Sequence, residues 1–233
     1  TEFPGLSQFN IYADHQLNNK DYQAYARVIN TTLPISLSFD INSYDYFTTN
    51  YAKWQLEPVD LAKHQHQIKQ SIRSLWKKET ARDVFIAKGE FKLNGKLTAR
   101  HNKIEASVHH QLNDFTGTIA LQPFENISYI GNLQFNNSQL QEQASLQVKS
   151  IGKAIVATDI SAQLSISNLL ANSAQLSIKQ LKAKILDADV SLDTLTTSLY
   201  QPKGQATLYV QDLPLNNVLA LEQQPTLVGT GTL

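Results

Sequence analysis

The histidines are the first residues of this chain that could bind a metal ion or transfer protons. Two pairs lie close together in the sequence, His64 with His66 and His109 with His110. On a helix, residues 64 and 66 would lie about 200° apart, and on a strand neighbouring residues point to opposite faces. Neither spacing forms a chelate. We therefore expect solvated histidines and no metal site.

Two carboxylates form a second candidate arrangement. Asp187 and Asp189 would share one face of a strand, where they could hold a cation or act as paired carboxylates. With no third ligand nearby, a polar sheet face is the favoured interpretation. The chain contains no Cys, no G-x-S-x-G elbow, no G-x-G-x-x-G and no P-loop. We predict no enzyme activity and no cofactor.

The balance of charge excludes some classes of partner. Twenty Lys and Arg residues equal twenty Asp and Glu residues. Nucleic-acid binding needs a basic stripe, so we expect no nucleic-acid partner. No segment approaches 18 consecutive apolar residues, so no membrane-spanning helix is predicted. Because the chain begins without Met and stops within a strand-like pattern at 229–233, we expect it to be a piece of a longer protein.

Alternation of apolar and polar residues dominates the chain from about Lys88 to Val210. This period of two places apolar side chains on one face of a strand and polar side chains on the other. It predicts a mainly β, antiparallel-rich sheet that is apolar on one face. Within 181–192 the parity changes after Ile185, which indicates a strand that either switches faces or is covered on both.

The first part of the chain is less regular. Residues 35–41 predict a strand, with 22–29 as its partner. A cluster of five aromatic residues between positions 44 and 54 is expected to pack around an edge or end of the sheet rather than to stack nucleic-acid bases. We predict one β-groove segment over residues 1–233, with irregular strands, the cluster and a helix over 1–87 and regular strands over 88–233. The cluster consists of Tyr44, Tyr46, Phe47, Tyr51 and Trp54.

The sequence predicts few helical residues that could cover such a sheet. Residues 60–77 predict a helix with Asp60 as its N-cap, and residues 214–220 predict a short helical turn. The apolar stripe of the longer helix is narrow, so it can cover one end of a sheet but cannot form a second layer. The apolar face therefore needs another cover.

The dipeptide Asn94-Gly95 is typical of a type I′ hairpin turn. A two-residue hairpin would place Leu93 opposite Lys96 and would mix apolar and polar residues on one face. One long strand through Gly95 keeps Leu93 and Leu97 on the same face. We therefore predict the long strand, with Gly95 as a bend or bulge.

Three architectures could accommodate a sheet with one apolar face: a closed barrel, a sandwich, or a strongly curved open groove whose apolar lining contacts a ligand. The apolar positions are mostly Ala, Ile, Leu and Val, with few aromatics after Phe135, and the chain has only 9 Gly. This composition favours the open groove. About ten strands at roughly 4.8 Å spacing would form a groove about 50 Å long. Such a groove needs an apolar ligand or neighbouring segments to cover it.

Part of the sequence resembles the YdbH-like proteins of the AsmA-like family of bacterial envelope proteins, which includes TamB. The resemblance is carried by 155–162 (IVATDISA), 181–192 (LKAKILDADVSL), 210–222 (VQDLPLNNVLALE) and 229–233 (GTGTL), and more loosely by 89–135. Where the family tends to have a Gly pair, this chain has Asp187-Ala188-Asp189.

The resemblance implies an elongated β-groove in the periplasm that carries phospholipid between the inner and outer membranes. It further implies an inner-membrane anchor in the full-length protein and a small outer-membrane lipoprotein that binds by strand addition. The alternative is a β-scaffold that helps assemble or secrete outer-membrane proteins without conducting lipid. The residues predicted to contact lipid are Phe91, Leu93, Leu97, Ile104, Ala106, Val108, Leu112, Phe115, Ile119, Leu121, Leu133, Phe135, Leu146, Val148, Ile160, Leu164, Ile166, Leu176, Ile178, Leu181, Ile185, Leu208 and Val210.

Overall fold

Twelve antiparallel strands form one sheet in the computed structural model. The structure describes residues 9–18, 20–30, 36–44, 48–66, 68–69, 84–100, 103–119, 121–136, 139–153, 155–169, 171, 173–199 and 206–214. The strands are β1 (Phe9–Asn18), β2 (Asp21–Asn30), β3 (Ser36–Tyr44), β4 (Thr49–Asp60), β5 (Phe85–Arg100), β6 (Lys103–Ile119), β7 (Gln122–Asn136), β8 (Gln139–Ile151), β9 (Ala157–Ser167), β10 (Gln175–Ile185), β11 (Ala188–Ser198) and β12 (Leu208–Gln211).

The order of strands in the sheet follows the order of the chain, from β1 at one edge to β12 at the other. Because β1 does not pair with β12, the sheet is open rather than a closed barrel, as predicted. The predicted pairing of residues 22–29 with 35–41 is confirmed as β2 with β3. Strands β1–β4 continue the same sheet, so the described part of residues 1–60, where we expected irregular strands, is also built from regular strands.

The register of the strands separates the two faces of the sheet. Along one cross-strand row, Leu97, Ala106, Phe135 and Leu140 are direct partners on neighbouring strands. We call the face that carries this row the apolar face and its opposite the polar face. Alternation within each strand, shifted by one residue at each β-bulge, then assigns the remaining residues to one of the two faces.

The described strands leave much of the apolar face without a cover of their own. In the described part of the chain, only eight hydrophobic residues are buried. All twelve described strands belong to one sheet, so none of them forms a second, sandwich-like layer over this face.

A line of β-bulges crosses the sheet and bends it. The register shifts on both sides of Lys88, and Asp114, Asn126 and Asp159 adopt left-handed backbone angles within β6, β7 and β9. The bulges are tied together, since the Asn126 backbone N–H donates to Thr116 Oγ1 at 3.1 Å. Bulges bend strands and increase their twist. Strands of up to 17 residues are thereby curved, consistent with the predicted groove.

Gly95 lies inside β5, so the predicted long strand is confirmed and a hairpin at Asn94-Gly95 is excluded. The register does not shift at Gly95, so the bulge we expected there is absent. A Cβ atom on Gly95 would instead lie 2.3 Å from ring carbons of Trp54, its partner on β4. The glycine makes room for the indole ring.

Residues 181–192 form a hairpin rather than one strand. Strand β10 ends at Ile185, and Leu186 and Asp187 form a two-residue turn with φ of 54° and 65°. Positive φ at both central residues is the geometry of a type I′ turn. The turn explains the change of parity, because Ile185 and Ala188 are direct partners and share the apolar face. Neither a switch of faces nor double covering occurs.

The predicted helix begins later than expected. Asp60 is the last residue of β4 and caps the following turn, since its Oδ1 accepts from the N–H groups of Ala62 and Lys63 at 3.0 and 3.1 Å. Residues 61–64 form a turn, and residues 65, 66, 68 and 69 are helical. Residues 67 and 70–77, and the predicted helical turn after Pro214, lie outside the described residues.

Leu61, Ala62 and Ile68, which follow β4, cover one end of the apolar face, as predicted for the helix. Val84, Ile86 and Phe115 form a buried cluster against which five partly buried residues pack. We call these eight residues the covered end. The packed residues are Leu61, Ala62, Ile68, Leu112 and Ile127.

The predicted aromatic cluster is divided between the two faces. Trp54 lies in the interior of β4 on the apolar face, because its partner is Gly95. Tyr51 lies on the polar face, where the Lys53 ammonium group is 5.4 Å from the centre of its ring. Tyr44, at the end of β3, is exposed. Our prediction of one cluster at a sheet edge is therefore wrong for Trp54, and Tyr46 and Phe47 lie outside the described residues.

Candidate functional site

The candidate site is the apolar face, and two neighbouring rows define its floor. In the first row, the partners from β1 to β11 are Ile11, Val28, Leu37, Leu56, Leu93, His110, Gly131, Ala144, Leu164, Ile178 and Leu195. With about 4.8 Å between strands, this row is about 50 Å long. His110 is its single ionisable residue.

The second row lies beside the first, two residues further along each strand. Its members are Ala13, Ala26, Phe39, Trp54, Gly95, Val108, Leu133, Glu142, Ile166, Leu176 and Thr197. Glu142 is its single ionisable residue. Both rows are otherwise apolar or small, apart from Thr197 near one end.

Most residues predicted to contact lipid lie on the apolar face. Phe115 lies in the covered end and is 8% exposed, so it packs against the protein's own residues. Ile119 is the last residue of β6, and Leu121 lies in the turn that follows it, where both side chains are exposed. Val148 is 3% exposed, although its strand β8 lies between β7 and β9 in the open part of the sheet.

The ionisable residues of the two rows meet across β7. His110 Nε2 lies 3.1 Å from Glu142 Oε1, and the Tyr129 hydroxyl donates to the same oxygen at 3.2 Å. The His110 and Tyr129 rings stack with 5.4 Å between their centres and 25° between their planes. We call His110, Tyr129 and Glu142 the polar triad.

Gly131 makes the triad possible. It lies on β7 between His110 on β6 and Ala144 on β8. A Cβ atom at residue 131 would lie 2.2 Å from His110 Nε2 and 2.3 Å from Glu142 Oε1. Because residue 131 has no side chain, the His110 ring and the Glu142 carboxylate can approach each other above it.

Burial differs within the triad. The side chain of Glu142 is 6% exposed and that of His110 is 21% exposed. Burial, together with the charge of Glu142 and the hydrogen bond to it, raises the pKa of Tyr129 to about 12. Tyr129 is consequently protonated at neutral pH and acts as the hydrogen-bond donor to Glu142.

Our prediction of solvated histidines is wrong for His110 and for His64, whose Nδ1 atom is buried. His66 is exposed, and His109 is exposed on the polar face, as expected. The signal was available in the sequence. His110 shares the parity of Val108 and Leu112, and Glu142 shares the parity of Leu140. Two ionisable residues at apolar positions, separated by a glycine on the strand between them, mark the triad.

The other candidate arrangements do not come together. Asp187 lies in the β10–β11 turn, whereas Asp189 lies on β11 opposite Lys184. No group of three or more His, Cys, Asp or Glu side chains suited to a metal ion occurs among the described residues. In the same part of the chain, no helix has the length and apolarity needed to cross a bilayer.

Comparison with known proteins identifies a family for nearly the whole chain. A family model described as YdbH-like, intermembrane phospholipid transport protein YdbH, matches residues 25–233. The match begins within β2 and includes every later strand. Neither a curated protein nor a solved structure matches the chain.

Proposed function

This chain belongs to the YdbH-like family of intermembrane phospholipid transport proteins, and from that premise we propose that its apolar face is the surface along which phospholipid acyl chains move. The family is one of transport proteins rather than of enzymes. The proposed role is a segment of a bridge in the periplasm, between the inner and outer membranes. It needs a continuous apolar surface and no chemical step.

The free-energy cost of exposing lipid tails to water supports this role. A phospholipid with two tails has about 30 methylene groups, each worth roughly 0.8 kcal/mol when removed from water. Exposure of both tails would cost on the order of 20 kcal/mol. A protein surface that covers the tails throughout their passage lowers that barrier without binding them at one fixed point.

The first row is the single observation that carries the proposal. It continues through eleven consecutive strands over about 50 Å, and nine of its eleven members carry apolar side chains. Apolar side chains of similar size offer acyl chains no single strong site. The proposed contact surface comprises the predicted lipid-contacting residues other than Leu112 and Phe115, which belong to the covered end, and Val148, which is buried.

The neighbours of the segment are also part of the proposal. By likeness to the family, we place an inner-membrane anchor in the full-length protein and a small outer-membrane lipoprotein at its C-terminal side. Strand addition suits an exposed strand edge. Within the described residues, β12 (Leu208–Gln211) pairs with β11 along one edge, and its four residues are exposed.

Recovery of bound lipid from the full-length protein tests the proposal. Organic extraction followed by mass spectrometry should recover phospholipid from the wild-type protein. The double variant Leu164→Asp with Leu176→Asp places two carboxylates on the apolar face and should lose most of that lipid. The matched control, Gln163→Asp with Gln175→Asp, changes the neighbouring residues on the polar face and should retain it.

Two outcomes would contradict the proposal. One is the absence of phospholipid from the wild-type protein, and the other is equal recovery from both double variants. Capture of an outer-membrane barrel protein by a wild-type protein free of lipid would favour the scaffold alternative. Thermal unfolding of both double variants checks that any loss of lipid does not follow from loss of the fold.

A further inference from the structure

The polar triad is an ionisable site in the middle of a surface that is otherwise suited to hydrocarbon. His110 and Glu142 are the single ionisable members of the first and second rows, and they contact each other. Removing two charges from water costs several kcal/mol for each ion, and a well-packed apolar pair is often as stable. Ionisable residues at lipid-facing depth are accordingly candidates for function.

The triad presents one of its members to the groove. The Glu142 side chain is nearly enclosed at 6% exposed, whereas the His110 side chain beside it is 21% exposed. The Tyr129 hydroxyl donates a hydrogen bond to Glu142 Oε1, and His110 Nε2 lies 3.1 Å from the same oxygen. Because Nε2 is the ring nitrogen beside Glu142 and the His110 side chain is 21% exposed, Nδ1 is the nitrogen left for a ligand.

We propose that His110 binds the phosphate group of a phospholipid whose tails lie on the apolar face, with Glu142 and Tyr129 as positioning residues. This inference rests on the proposed function and adds a point of recognition to it. An imidazole with one nitrogen beside a carboxylate has its other nitrogen left, as an N–H donor, for an anionic phosphate oxygen. Such charge-assisted bonds are stronger than those between neutral groups.

Phosphate is the ligand group that fits the position. Every phospholipid carries it where the polar headgroup meets the two tails. With the phosphate at His110, the tails can extend over Leu93 on one side and over Ala144 and Leu164 on the other, all members of the first row. Inorganic phosphate and the carboxylate of a fatty acid share the anionic chemistry, so the test must separate these sources.

Paired ligands with the same tails provide the test. Full-length protein freed of lipid is titrated with phosphatidylglycerol and with diacylglycerol, each in competition with a fluorescent fatty-acyl probe. We expect the wild-type protein to bind the phospholipid about tenfold more tightly, which corresponds to about 1.4 kcal/mol. His110→Gln should abolish this preference and retain binding of diacylglycerol.

The adjacent histidine supplies a matched control. His109→Gln changes the next residue of β6, on the polar face, and should leave the preference intact. Tyr129→Phe keeps the ring but removes the hydrogen bond to Glu142, so it should reduce the preference by less than His110→Gln does. A merely structural role would instead weaken binding of both ligands equally.

The results that would overturn the inference differ from those that would overturn the proposed function. Equal affinity for the two lipids in the wild-type protein, or a full preference in His110→Gln, contradicts a phosphate site at His110 and leaves the apolar surface intact. Failure of both lipids to bind contradicts the proposed function itself.

NMR of the wild-type protein reads out ligand binding at His110 directly and does not require any variant to fold. In protein labelled with ¹⁵N-histidine, phosphatidylglycerol should shift the imidazole signals of His110 and not those of His109. Equal shifts with inorganic phosphate or with a fatty acid would contradict the assignment to phospholipid. Unchanged His110 signals in the presence of bound phospholipid would overturn the site.

Discussion

Two regions of the apolar face differ in what lies over them. At the covered end, Leu61, Ala62 and Ile68 pack against the buried cluster that contains Phe115. Along the first row, side chains of equal apolarity have no such segment above them in the described part of the chain. The chain thus closes its apolar surface at one end with a short local segment. The difference supports the proposal that the open surface contacts phospholipid.

The largest expected effect is on the stability of the covered end. Phe115→Ala should lower the free energy of unfolding by about 3–5 kcal/mol, because a buried aromatic side chain is removed and leaves a cavity. Leu164→Ala on the open floor should cost clearly less, since its side chain is already partly exposed. Unfolding in urea measures both values. Equal losses would show that the two regions are packed alike.

The next effect concerns the polar triad. Glu142→Ala should destabilise the protein by about 3 kcal/mol, because His110 then remains in an apolar setting without its carboxylate partner. The variant with both His110→Leu and Glu142→Leu should recover much of that loss. Denaturant unfolding of the single and double variants measures the coupling, and purely additive effects would contradict the pairing.

A smaller effect is expected at Gly95. Gly95→Ala forces the Trp54 ring away from its position, since the added Cβ would lie 2.3 Å from it. Overpacking of this kind costs about 1–3 kcal/mol. In a Trp76→Phe background, Trp54 is the one remaining tryptophan, so its fluorescence should change in the variant. An unchanged emission spectrum would contradict the close packing.

The smallest effect lies at the exposed bulge line. The Lys149 ammonium lies 2.6 Å from Glu125 Oε1, and its hydrogen bond lowers the pKa of Glu125, with a further contribution from Ser150. A carboxyl with a lowered pKa stabilises the fold above its unfolded pKa, and this contribution is lost as pH falls through the folded pKa. Lys149→Ala should raise the pKa of Glu125, which ¹³C NMR can follow. Because both groups are exposed, the melting temperature at neutral pH should hardly change.

Much of the fold could be predicted from the parity of apolar residues. Alternation in β5–β9 predicted long strands with one apolar face, and it distinguished the long strand through Gly95 from a hairpin. It misled at residues 181–192, because a two-residue turn changes the parity while both strands keep the same face. Leu186 gave no sign of that turn, since neither Gly nor Asn marks its left-handed position.

The site was harder to predict than the fold. The polar triad depends on residues from three strands, and its contact across β7 exists only because residue 131 lacks a side chain. Parity alone places His110 and Glu142 on the apolar face, but it does not bring them to 3.1 Å. That distance follows from the register of β6, β7 and β8, which local sequence patterns do not specify.

Photo-crosslinking in cells tests the central claim most directly. Two variants of the full-length protein each carry one benzophenone amino acid. In the first it replaces residue 164, on the apolar face, and in the second it replaces residue 163, on the polar face. Cells that express either variant are irradiated. We predict phospholipid adducts at residue 164 and none at residue 163, identified by mass spectrometry. Adducts at residue 163 alone, or none at either residue, would contradict transport along the apolar face.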